Sequence, residues 1–168
     1  VDAELEAVRK LAALLPPKHA RYVVECWDIG EQEAALDRLV TVLAEAEVAL
    51  DGDERARIAV TAEAWGVREA VTPVLRRCRS RDGGGVRLID DGEPLVSPEL
   101  ADLVVVPWIT CAHCSQTLSR AHLREPWGDL SYQPVHYVLA AARLFGPEDV
   151  WGAFTALSSC TPEGHAAR

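Results

Sequence analysis

Apolar residues recur at helical spacing through the first half of the chain. Leu5, Val8, Leu11, Leu14 and Leu15 predict a helix over about residues 2–15, ended by Pro16-Pro17, which cannot continue the hydrogen-bond ladder. Tyr22, Val23, Cys26, Trp27 and Ile29 form a second helical series that stops at Gly30, a residue suited to a left-handed cap. Ala34, Ala35, Leu36, Leu39, Val40, Val42 and Leu43 form a third, with Glu31 and Glu33 near its start, where the helix dipole favours negative charge. Asp51-Gly52-Asp53-Glu54 reads as a turn with an N-cap, opening a fourth helix through Ile58, Ala62 and Trp65 to Gly66. Residues 68–79 add a fifth, bent or broken at Pro73.

The pattern changes at Gly83-Gly84-Gly85, the best linker in the sequence. Val86–Ile89 and Pro94–Val96 flank Asp90-Asp91-Gly92-Glu93 and predict a short hairpin, and the β-branched run Leu103–Val106 predicts a third strand. Helical spacing returns at Val135, Val138, Leu139, Ala142 and Leu144–Phe145, capped by Gly146, and again from Glu148 to Leu157. The expected class is α+β: a helical region over 1–82 and a small mixed region over 86–168, as two units or one composite domain.

Composition places the chain among soluble globular proteins. Of 168 residues, 49% are hydrophobic and 26% charged, against both disorder and low complexity. No apolar run approaches the roughly 18 residues of a membrane span, and no secretory signal is visible, so a cytoplasmic protein without membrane attachment is expected. The net charge is −9 and the sequence pI about 5.0. Residues 1–66 carry 14 acids against 7 bases. That balance argues against a nucleic-acid backbone as principal ligand and for a basic protein partner. Arg76, Arg77, Arg79 and Arg81 make one local positive cluster, which also fits cations at a helix C-terminus. Trp27 and Trp65 read first as core or groove-lining residues, although five tryptophans are a large supply of interface-capable side chains.

The sharpest chemical signal is Cys111-Ala112-His113-Cys114. Two thiolates separated by two residues in a tight turn can meet one tetrahedral zinc. His122 is the nearest further ligand, and Cys160, His136, His165 or Cys78 could supply a fourth. The same residues also fit unliganded thiols. A redox pair is the weaker alternative, because the pair follows Pro107-Trp108 and not a strand within a βαβ unit. No nucleophile elbow, catalytic triad, dinucleotide fingerprint or phosphate loop is present, so no residue is assigned a catalytic role.

Residues 22–66 resemble the helical pattern of Maf-type immunity proteins of bacterial polymorphic-toxin and contact-dependent inhibition systems. The elements that carry the resemblance are the acidic turn Asp28-x-Gly30-Glu31, the helix Ala35-Leu36-x-x-Leu39-x-x-x-Leu43 ending at Glu45, a short acidic loop, and Ile58 to Gly66. The resemblance implies a protein that binds and neutralises a toxin and performs no chemistry. Glu25, Asp28, Glu31, Glu33 and Asp37 form the expected contact set, and they equally fit a solvated helix face. The competing expectations are a zinc-stabilised adaptor or regulator and a small tailoring enzyme of a biosynthetic cluster.

Overall fold

A computed structural model describes residues 3–89, 92–140 and 143–160. The fold is mixed α+β, and the chain divides into two compact units, Val1–Gly84 and Gly85–Arg168. The break falls inside the triple glycine.

The first unit contains α1 (Ala3–Ala12), α2 (Pro17–Asp28), α3 (Gln32–Glu45), α4 (Gly52–Ala64) and α5 (Arg68–Arg77). Its core is the set of apolar stripes turned inward: Val8 and Leu11 from α1, Val23 and Trp27 from α2, Leu36, Leu39 and Leu43 from α3, and Ile58 from α4 are all buried. Gly30 turns the chain between α2 and α3 at φ +90°, a conformation that glycine adopts without steric cost. Trp27 meets Trp65 edge to face at 5.8 Å. Trp65 also donates through its ring N–H to Glu4.

Helix α4 begins in a complete capping box. The Asp51 carboxylate accepts from the Glu54 amide at 2.9 Å, and the Glu54 carboxylate accepts from the Asp51 amide at 2.8 Å. Arg81 then pairs with both carboxylates, at 2.9 and 2.7 Å. Arg55 donates to the Leu75 and Cys78 carbonyls, fastening the end of α5 to α4. Replacing Asp51 by Ala removes the cap and one partner of Arg81. It is expected to cost about 1–2 kcal/mol, read as a lower urea midpoint with an unchanged m-value. Helix α5 runs through Pro73 without a break.

The second unit is an antiparallel sheet in which β3 (Leu103–Cys111) is the longest strand. The other strands are β1 (Val86–Leu88), β2 (Leu95–Ser97), β4 (Thr117–His122), β5 (His136–Leu139) and β6 (Arg143–Phe145). Among the described residues the strand order is β1-β3-β4-β5-β6, with β2 also on β3. Helix α6 (Val150–Ser158) packs on the sheet through Val150, Ala153, Phe154 and Leu157. It is capped by the Asp149 carboxylate, which accepts from the Gly152 amide. Helices are therefore not confined to the first half of the chain.

Three expectations for this unit change. First, β1 and β2 do not form a hairpin with each other. Both pair with β3, β1 against residues 109–111 and β2 against residues 103–105. Asp90 and Asp91, in the expected turn, lie outside the described residues. Gly92 comes so close to the Pro107 carbonyl that a Cβ would stand 2.5 Å from it, so this approach requires glycine. Second, the strand expected over 103–106 continues to Cys111 past Pro107. The register with β4 shifts between Pro107 and Ile109, a bulge placed where proline offers no N–H to the ladder. Third, the helical spacing expected over 135–145 is two strands, β5 and β6, with Ala140 at φ +52° in the turn between them. Strand β5 is paired on both sides, and Tyr137, Val138 and Leu139 are all buried. Burial on both faces erases the period-two alternation, leaving an apolar run that spacing alone reads as helix.

Candidate metal centre

The turn joining β3 to β4 is Cys111-Ala112-His113-Cys114-Ser115-Gln116. It closes through Cys111 N–H to the Gln116 carbonyl at 2.8 Å and Ser115 N–H to the Cys111 carbonyl at 3.2 Å. Ser115 takes φ +59°, so the chain reverses sharply just after Cys114. The reversal folds both thiols to one side, and the His113 amide donates to the Cys111 sulfur at 3.4 Å. Amides aimed at a sulfur favour its thiolate form.

The third member comes from 46 residues further on. Cys160 directly follows Ser159, the C-cap of α6, and its amide donates to the Leu157 carbonyl. The sulfurs of Cys111, Cys114 and Cys160 lie within 4.8 Å of one another, close enough to hold one metal ion. Tetrahedral zinc with sulfur ligands at about 2.3 Å needs sulfur–sulfur separations of about 3.8 Å, so a small contraction would bring all three to bonding distance. Cys111 is buried, while Cys114 and Cys160 are half-buried.

The electrostatics of the trio fit a cation. Burial works against ionising Cys111, but hydrogen bonds from the Cys114 and His113 amides and from the Cys114 and Cys160 thiols outweigh it and lower its pKa. Cys160 moves the other way. Its hydrogen bond to Cys114, with burial and the proximity of Cys111 adding to it, pushes its pKa up to about 12. One thiolate is favoured and a second or third is resisted, because like charges this close repel. A divalent cation removes that repulsion and lets all three ionise.

The structure does not bring His122 to this centre. It sits at the far end of β4, paired with Val104, seven residues from Cys111 along β3 and roughly 20 Å away by strand rise. There its ring is buried, and Nδ1–H donates to the Ser131 carbonyl at 2.7 Å. His136 begins β5 opposite Ala121, also toward that end of the strands. Cys78 belongs to the first unit, where its thiol donates to the Val74 carbonyl and burial raises its pKa. His165 lies outside the described residues. The third thiol was one of several equal candidates in the sequence because no short spacing links it to the turn; only the docking of α6 on the sheet does.

The expected partner-contact residues occupy one stretch of the first unit. Glu25 and Asp28 lie on α2, Glu31 is in the α2–α3 turn, and Glu33 and Asp37 lie on α3; all five are exposed. Among the described residues none of them is held in a salt bridge. Two apolar side chains surface in the same stretch, Ile29 at 75% and Tyr22 at 42% exposure. Arg38 covers the Tyr22 ring at 5.2 Å. No helix among the described residues is long and apolar enough to cross a membrane. The chain matches no family model, no curated protein and no solved structure.

Proposed function

We propose that the chain is an immunity-type protein that acts by stoichiometric binding in the cytoplasm: its α2–α3 surface engages a basic protein toxin, and zinc on Cys111, Cys114 and Cys160 stabilises the second unit. The observation that carries the binding reading is the α2–α3 surface. Five exposed carboxylates share residues 22–37 with exposed Ile29 and Tyr22, and the pattern of residues 22–66 resembles Maf-type immunity proteins. Protein interfaces combine exposed apolar side chains with charged ones. Acids outside any salt bridge steer a basic partner into encounter.

Charge reversal tests it. Glu31→Lys and Asp37→Lys together change the surface by four charges at two exposed positions, and leave the fold intact. Wild-type and doubly substituted protein are used as bait in lysate of the native host. Any protein recovered is then purified, and its association rate is measured at several salt concentrations. The expected result is a basic partner whose association rate falls about tenfold or more with the double variant and loses much of its salt dependence. Equal recovery and equal rates for the two baits would contradict the proposal.

A further inference from the structure

The second unit contains a cavity of about 590 Å³ against one face of the sheet. Strand register fixes which side chains reach it. Ser119 pairs with Val138, and Val105 pairs with both Leu95 and Ala121, so Leu95, Val105, Ser119 and Val138 share that face. Leu118, Tyr137 and Leu139 point to the opposite face of the same strands and are buried there. Cys111 also points away, since it follows Thr110, the partner of Thr117 in the cavity lining.

The floor of the cavity is closed and its wall is open. Val138 and Ser119 are 4% and 8% exposed, whereas Leu95 and Val96 stand at 63% and 56%. Ser119 brings a hydroxyl to this floor, and its Oγ makes no hydrogen bond among the described residues. A hydroxyl withdrawn from bulk water without a partner is costly, and a bound molecule that supplies the partner recovers that cost.

Size and charge narrow what that molecule is. The volume falls within the usual range for small-molecule sites, about 300–1,000 Å³. Among the described residues that line the cavity none is cationic, and Glu99 is acidic. A carboxylate or phosphate would enter with no counter-charge and against the field of Glu99, whereas a neutral group meets neither obstacle.

We infer that this cavity binds a neutral, largely apolar small molecule whose hydroxyl or carbonyl oxygen hydrogen-bonds to Ser119 and whose body covers Leu95, Val96, Val105 and Val138. This activity is additional to the binding of a protein partner, and no metal takes part in it.

Calorimetric titration of the full chain with 2-naphthol tests it, with 2-naphthoate as a charged comparison of similar shape. The expected result is one saturable site for 2-naphthol and at least tenfold weaker binding of 2-naphthoate. Ser119→Ala should weaken 2-naphthol about threefold to tenfold, the worth of one hydrogen bond. It should leave the fold intact, because the hydroxyl has no partner among the described residues to lose. Leu95→Asp, at an exposed wall position, should weaken 2-naphthol at least tenfold. Absence of a saturable site, equal affinity for 2-naphthol and 2-naphthoate, or wild-type affinity in either variant overturns the inference.

Discussion

Cys111→Ser is expected to lower metal affinity by a factor of a hundred or more and to take the thermal stability of the second unit down with it. Cys111 is the buried member of the trio, the sulfur toward which the His113 amide points, and the last residue of the longest strand. A serine hydroxyl is a poor zinc ligand at neutral pH, and the remaining two thiols form only a bidentate site. The thermodynamic coupling sets the size of the effect. A ligand present at about 1,000 times its dissociation constant stabilises the folded state by about 4 kcal/mol, and a hundredfold loss of affinity removes about 2.7 kcal/mol of that. Chelator added to the wild-type protein should lower the melting temperature further than the substitution does, and should lower that of the variant only by the smaller remainder, about 1.4 kcal/mol. Acid acts in the same direction, since each thiolate must take up a proton before the metal is released. Differential scanning calorimetry with and without chelator reads both effects. Equal melting temperatures for wild type and variant in the presence of zinc would refute stabilisation of the second unit by a metal on Cys111.

Trp108→Ala should destabilise the same unit by about 3–5 kcal/mol. Trp108 follows Pro107 at the bulge of β3 and is 5% exposed. Its ring lies 6.1 Å from that of Tyr137 on β5, and the Arg120 guanidinium of β4 covers it at 4.9 Å. One side chain therefore joins three strands, and truncation opens a void that its neighbours can fill only in part. Denaturant titration followed by far-ultraviolet circular dichroism measures the loss. The comparison with Trp127 is informative: that residue is 72% exposed, and Trp127→Ala should change stability by less than about 0.5 kcal/mol.

What could be read from the sequence follows from how local each signal is. The stripes of α2 and α3, the Gly30 turn and the Asp51 cap are short-range patterns, and the structure has each where its own residues put it. Helix α6 is equally local, an apolar stripe behind an Asp149 cap. The sheet was less legible, because its pairings are long-range. Nothing near residues 86–97 says that two short strands share the edge of a third instead of pairing with each other. Strand β5, buried on both faces, carries no alternation to tell it from a helix. The candidate metal centre divides along the same line. Cys111 and Cys114 are visible through a two-residue gap, whereas Cys160 joins them through tertiary packing, and proximity in sequence wrongly favoured His122, whose strand carries it away from the turn.

The most direct test of the central claim, one metal held by Cys111, Cys114 and Cys160, is the metal content of protein purified without added metal, determined by elemental analysis alongside the Cys160→Ser and His122→Ala variants. About one equivalent of zinc is expected in the wild type and in His122→Ala, with a marked loss in Cys160→Ser. Less than a tenth of an equivalent in wild-type protein that also fails to take up added zinc, or loss of zinc from His122→Ala and not from Cys160→Ser, would contradict it.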